Sequence, residues 1–481
     1  MLLYSYSQVM HGFSASLTAT QLSKLEKLPA HRATYHKSFG KLFTTHTPRY
    51  VGLRHETRIW PAASYGQYVI IGIIDTGIWQ KSESFNGRGM LPVLERWKGV
   101  CHVCENRTDF NSSLCNRKLI GARSFSKGLK AAGENISATN DYDSRRDFVG
   151  HGIHTSSTAA GAYVSGADYN GYVEGTAKGV VPGAQVAMYK VVYHAETEDI
   201  AATDVLAAMD QAIADGVDIM SLSLGFKQSP YYSDVIATSA LSAIEKGIFV
   251  ACAAGNDGEA MNSTHNGAPW IATVGASDAR KATCNSSSLN QNEVAGKVVL
   301  SDIGNRSDIY ENERGKDVLA AWSPVQPIGR TGSNYLVTDY ALLSGTSMAA
   351  PHVAGVAALL RDIHKDWSPA TIRSAITTTA AILENTNATI RDEWTGLPTT
   401  PLVFGTGQIN PNRAMDPGLV DDADFQDYIE FLCGLGYSKT QMEAVIRRSQ
   451  WNCSSIPYEL NYHSFIAFLS NTTGLRLSVE L

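Results

Sequence analysis

Apolar stretches of strand length, separated by segments of helical spacing, constrain this chain most. Tyr68 to Ile74 is continuously apolar and ends on Asp75. Gln185 to Val192, Val217 to Leu224 and Ile248 to Ala254 are further stretches of strand length. Between them lie two helical segments, Asp204 to Ala214 closed by Gly216 and Ala237 to Lys246 closed by Gly247. Strands alternating with helices build βαβ units, and βαβ units build a parallel sheet covered on both faces. The predicted fold class is therefore α/β, a parallel sheet flanked by helices. Open sheets of this kind bind ligands beyond the carboxyl ends of their strands. Asp75 and Asn256 both follow such strands.

Four short motifs supply chemistry at those ends. Asp75-Thr76-Gly77 delivers an acid from a buried strand. Gly150-His151-Gly152-Ile153-His154 leads a glycine-flanked histidine into a small-residue helix. Gly255-Asn256-Asp257-Gly258 ends a buried strand in an amide. Gly345-Thr346-Ser347-Met348-Ala349-Ala350-Pro351-His352 puts a serine at the start of an apolar helix, with Pro351 expected in its first turn. Each alone has a plainer reading: an Asp/Gly turn, a structural histidine, an Asn-Asp-Gly turn, a serine N-cap. For His154 the structural role is the better reading. Together they fill every role in acyl transfer. A serine hydroxyl needs an imidazole to take its proton. The imidazole needs a buried carboxylate on its other nitrogen, and the intermediate needs donors aimed at its oxygen. Asp75, His151 and Ser347 are the candidate catalytic residues, with Asn256 as oxyanion donor. An aspartic-protease reading of Asp75-Thr76-Gly77 fails, because that chemistry needs a pair of such aspartates.

The order Asp, His, Ser is that of subtilisin, and at these residues the chain resembles a subtilisin-like serine protease of the plant subtilase (cucumisin-like) group. The likeness extends to Tyr4-Ser5-Tyr6 with His11 to Ala15, Thr44 to Pro48, Cys115 to Arg123, Gly175 to Gly179, Ala268 to Gly275, Asp317 to Trp322 and Asp427 to Cys433. It implies secreted endopeptidase activity on protein or peptide substrates, with no cofactor. Ser223, Leu224 and Gly225 would be the strand that pairs with substrate backbone. Residues 1–43 would be a remnant of an inhibitory propeptide, the chain's own inhibitor. Here Thr18…Gln21 forms a capping box ahead of Leu22, Leu25 and Leu28. Residues 44–415 would be the catalytic domain, with 284–315 the remnant of a protease-associated insert. Residues 416–481 would be a helical linker and the start of a fibronectin-type domain, an incomplete β domain. By the same resemblance Cys101 pairs with Cys115, and Cys433 with Cys453. Cys252 lies in a buried strand and reads as a core residue. Cys104 has no evident partner, and Cys284 resembles a family cysteine whose partner position here is Ser301.

Composition excludes several other classes. The 481 residues carry a net charge of −6, so no nucleic-acid footprint or polybasic membrane patch is expected. No apolar run reaches the roughly 18 residues of a membrane span, and no His, Cys and carboxylate cluster has metal-site spacing. The start of the chain lacks the basic and apolar regions of a signal peptide. Nine Asn-x-Ser/Thr sequons, at Asn106, Asn111, Asn135, Asn262, Asn285, Asn305, Asn387, Asn452 and Asn471, favour a secretory route, and the family resemblance implies an extracellular or apoplastic location.

The chain also departs from the family pattern. Ile153 stands where a threonine usually follows His-Gly, which predicts reduced activity. Val294 to Leu300 resembles the opening of the insert, yet the chain reaches Asp317 soon after. The family's Phe-Ser-Ser-Arg-Gly-Pro and Lys-Pro-Asp-x-x-Ala-Pro-Gly stretches have no counterpart. Their absence predicts an unpaired edge and a core void. The alternative reading is thus a truncated, inactive homologue acting as a binding or inhibitory protein.

Overall fold

The computed structural model describes residues 2–6, 12–15, 18–28, 48, 51–53, 58–101, 115–137, 141–169, 171–193, 199–258, 263–276, 318–331, 334–383, 388–391, 397–454 and 460. The expected insert remnant, Cys104, Cys284, most of the sequons and the expected fibronectin-type start lie outside the described residues.

The chain forms two compact units, residues 1–42 and 43–481. The first holds an antiparallel pair, β1 (Leu2–Tyr6) and β2 (Gly12–Ala15), and helix α1 (Ala19–Glu26). Thr18 and Gln21 form the expected capping box, each side chain bonding the other's backbone N–H.

In the second unit a six-stranded parallel sheet is built from β3 (Ile70–Asp75), β4 (Leu119–Ser124), β5 (Gln185–Lys190), β6 (Ile219–Leu222), β7 (Phe249–Ala253) and β8 (Ala272–Val274). The strand order is β8-β7-β6-β3-β5-β4. The three strands nearest the candidate site, β3, β6 and β7, are neighbours. Alternate residues of each strand serve opposite faces, as a period of two requires. Ile71, Ile73, Phe249 and Ala251 join one core with helices α2 (His151–Ala160) and α5 (Thr346–Ile363). Ile70, Ile74, Met220, Leu222 and Val250 join the other, with α3 (Ala202–Asp215), α4 (Val235–Glu245), α6 (Phe425–Gly434) and α7 (Lys439–Ile446). Both cores explain the near-continuous apolar strands: a strand buried on two faces has no polar side. The unit continues without a break past residue 416, because Tyr428, Leu432 and Met442 are part of the second core.

A second pair, β9 (Val318–Ala321) and β10 (Tyr340–Leu343), is antiparallel and packs on α2. All four residues of β9 are buried. Side chains of α2 take the place of a neighbouring strand. The His154 Nε2–H donates to the carbonyls of Val318 (2.9 Å) and Ala341 (3.2 Å). The Ala321 N–H donates to the Ser157 hydroxyl at 3.0 Å.

Disulfides join Cys101 to Cys115 and Cys433 to Cys453, while Cys252 is a free buried thiol.

Candidate active site

Asp75 is the last residue of β3 and is buried. Its carboxylate is held from three directions. Oδ1 accepts the Thr76 backbone N–H at 2.7 Å and lies 2.7 Å from His151 Nδ1. Oδ2 accepts the Thr155 hydroxyl at 2.9 Å. A carboxylate can only accept, so His151 carries its proton on Nδ1 and presents Nε2 as the basic nitrogen.

His151 opens α2, and Gly150 ahead of it takes φ 101°. A helix start leaves backbone N–H groups without intrahelical partners. Here side chains from elsewhere satisfy them. Asp147 accepts from Gly150 N (2.8 Å) through Oδ1 and from Ile153 N (2.9 Å) through Oδ2. Thr76 Oγ1 accepts from Gly152 N (2.7 Å) and donates to Asp147 Oδ1 (3.0 Å). Asp147 is fully buried, and that burial pushes its carboxyl up, against the pull of the Gly150 N–H, the Lys190 ammonium and the Ile153 N–H. Gly152 admits the close approach of β3: a Cβ there would stand 2.4 Å from the Gly77 carbonyl oxygen. Ile153 lies in the apolar core on the far side of the turn, fully buried.

Ser347 lies in the first turn of α5, after Gly345 at φ 140°. Its hydroxyl donates to the Ser223 carbonyl at 3.2 Å. In return the Ser223 hydroxyl donates to the Ser347 carbonyl at 2.8 Å. Pro351 falls in the second turn of the helix, not the first as expected, because α5 starts at Thr346. Proline has no N–H to bond the carbonyl four residues back, which is that of Ser347. The Ser223 hydroxyl supplies the missing donor.

Asn256 follows β7 in an exposed turn. Its Oδ1 accepts both the backbone N–H (3.0 Å) and the hydroxyl (2.9 Å) of Thr346. That fixes the amide orientation, with Oδ1 turned to Thr346 and Nδ2 as the donor end. Ser223, Leu224 and Gly225 directly follow β6, between the strands that carry Asp75 and Asn256.

The structure thus joins Asp75 to His151, Asn256 to Thr346, and Ser347 to Ser223. The first helix start and the second belong to α2 and α5, which pack against each other. Sequence reasoning missed Thr76, Asp147 and Thr155 behind His151. It also missed Asn266, whose Nδ2 ties Leu224 (3.0 Å) to Ala253 (2.8 Å). The available signal for the first three was their position, within four residues of Asp75 or His151. Among the described residues no group of His, Cys, Asp and Glu could hold a metal ion, and no helix is long and apolar enough to cross a membrane.

Comparison with known proteins shows the family. Residues 66–422 match the sequence profile of the subtilase family. The chain is 34% identical to Subtilisin-like protease SBT3 of Solanum lycopersicum, over 98% of this chain and 78% of that protein. It is 34% identical to Subtilisin-like protease SBT1.6 of Arabidopsis thaliana, over 98% and 80%. The alignment with the tomato protein spans 600 positions. This chain has 481 residues, so more than a hundred of those positions hold no residue of it. Fervidolysin from Fervidobacterium pennivorans, a keratinolytic enzyme related to subtilisin, superposes with a TM-score of 0.46 at 18% identity, over 78% of this chain and 46% of that one. That likeness adds nothing to the family match. By profile and by identity over nearly its whole length, the chain belongs to the subtilase family, beside subtilisin-like proteases of plants.

Proposed function

We propose that this chain is a serine endopeptidase acting through Asp75, His151 and Ser347. The observation that carries the reading is the 2.7 Å contact between Asp75 Oδ1 and His151 Nδ1, which leaves Nε2 basic, beside a serine at the start of a packed helix. Ser347 Oγ attacks the scissile carbonyl carbon while its proton passes to His151 Nε2. Asp75 stabilises the imidazolium. The carbonyl oxygen becomes an oxyanion and takes hydrogen bonds from Asn256 Nδ2 and the Ser347 N–H. As the intermediate collapses, the C–N bond breaks and Nε2 returns the proton to the leaving amine. Water then cleaves the acyl-enzyme by the same steps reversed. A substrate strand lying along Ser223, Leu224 and Gly225 claims the Ser223 carbonyl and so releases the Ser347 hydroxyl toward His151.

Two disulfides and exposed sequons at Asn135 and Asn452 support an extracellular, glycosylated protein. Residues 1–42, a separate α+β unit, fit an inhibitory propeptide remnant. The second reading, an inactive homologue acting by binding, is favoured by one observation: the alignment positions that this chain leaves empty. Incubation of the purified chain with an unfolded protein substrate, beside Ser347→Ala, separates the two. New peptide termini with the parent alone support the endopeptidase. A folded parent that cleaves nothing and binds the substrate intact supports the second reading.

A further inference from the structure

We propose that Asp147 is a positioning residue for the reaction: a buried carboxylate that holds His151 in register with Asp75 without touching substrate. This rests on the endopeptidase reading above and extends it to a residue outside the triad. The contacts form a closed ring. Asp75 is bonded to Thr76 in sequence, and the Thr76 hydroxyl donates to Asp147 Oδ1 at 3.0 Å. Asp147 accepts the N–H groups of Gly150 and Ile153, which bracket His151. His151 closes the ring on Asp75. Thr76 adds a cross-brace, accepting the Gly152 N–H at 2.7 Å. The backbone is pinned as well: Asp147 N donates to Ile78 O at 3.1 Å, and the Ser323 hydroxyl donates to Asp147 O at 3.3 Å.

The carboxylate is the only group of its size that suits this place. Its two oxygens accept three donors from three directions, all within a fully buried site. An asparagine would turn an NH2 group toward one of those donors. The strand end and the helix start would then separate, and a misplacement of about 1 Å at a reacting group costs on the order of 10²-fold in rate. The partners of Asp147 are Thr76, Gly150, Ile153, Ile78 and Ser323, and neither Ser347 nor Asn256 is among them, so KM is expected to hold.

The test uses the full chain as parent, Asp147→Asn, Thr76→Val, their double variant and Thr76→Ser. Two readouts are taken on each. The first is kcat and KM on a peptide substrate. The second is the far-downfield proton resonance expected of the short His151 Nδ1–H···Asp75 hydrogen bond, which needs no turnover. The expected result is a kcat lower by about 10²-fold in Asp147→Asn and Thr76→Val with KM within about twofold, and a shifted or lost resonance in both. The double variant should be no worse than the worse single, and Thr76→Ser should behave as the parent. A folded Asp147→Asn with parental kcat and resonance overturns the proposal. So does one that lowers only the melting temperature, or a double variant whose losses multiply. If Asp147→Asn does not fold, Thr76→Val carries both readouts. If the parent cleaves nothing, the endopeptidase reading fails, and the resonance still decides the positioning role.

Discussion

The two helix starts at this site are built alike and finished differently. Each follows a glycine with positive φ, Gly150 before His151 and Gly345 before Ser347. Each lies at the carboxyl end of the same sheet. At the α2 start the exposed N–H groups are closed off by a carboxylate and a hydroxyl that are themselves buried. At the α5 start one N–H meets the oxygen of an amide, and the amide's own donor stays open. The α2 arrangement fixes a side chain against a partner. In the proposed reaction the α5 arrangement leaves donors to meet a charge that is absent until reaction. Position at one end and receptivity at the other are the two demands of the proposed acyl transfer, and the same helix geometry would serve both.

The largest test of this contrast is at the receptive end. Asn256→Ala should lower kcat by about 10²–10³-fold with little change in KM, a magnitude measured in subtilisin itself. A large rise in KM at unchanged kcat would place Asn256 in binding instead. Next comes the acid limb, because both helices bury a histidine. Burial holds His154 down at about 3 and also lowers His352. An exposed imidazole takes its proton near 6.5. For a depressed histidine, stability is full above the unfolded value and is lost as pH falls from about 6.5 toward about 3. The slope is up to about 1.4 kcal/mol per unit for one group. Melting temperature against pH should fall through that window, and His154→Gln, which keeps a donor without a charge, should flatten the fall. A flat parental curve would contradict neutral buried histidines.

A smaller effect is expected at the tight approach of α2 to β3. Gly152→Ala places a Cβ against Gly77 backbone and should cost roughly 2 kcal/mol, read as a lower denaturant midpoint. An unchanged midpoint would show that α2 can shift freely, against the account of a fixed end. The smallest is at α5. Ser223→Ala removes the donor on the Ser347 carbonyl and should cost about 1 kcal/mol. Adding Pro351→Ala, which restores a helical N–H, should recover part of it.

How far the sequence carries differs in the same way between the two ends. The sheet was legible because apolar strands between glycine-closed helices leave few other folds. Predicted Asp204 to Ala214 is observed as Ala202–Asp215, with Gly216 at φ 87°. Asp75, His151, Asn256 and Ser347 stood out because each sits in a motif that its chemistry requires. The ties behind His151 did not. Asp147 and Thr76 are 71 residues apart in sequence, and no local pattern announces a contact made only when strand and helix meet. Pro351 was misplaced by one turn because its missing N–H is compensated by Ser223, 124 residues from the carbonyl it serves. The contacts of His154 and Ser157 with Val318 and Ala321 were out of reach for a like reason: they join residues 164 apart in sequence.

Everything proposed for this site requires Ser347 to be an activated nucleophile. Treatment with a fluorophosphonate probe, followed by mass spectrometry of the labelled peptide, tests it most directly. One adduct is expected, on Ser347, absent in Ser347→Ala and slowed in Asp147→Asn. A folded parent, melting cooperatively, that acquires no adduct or acquires it at another serine would contradict it.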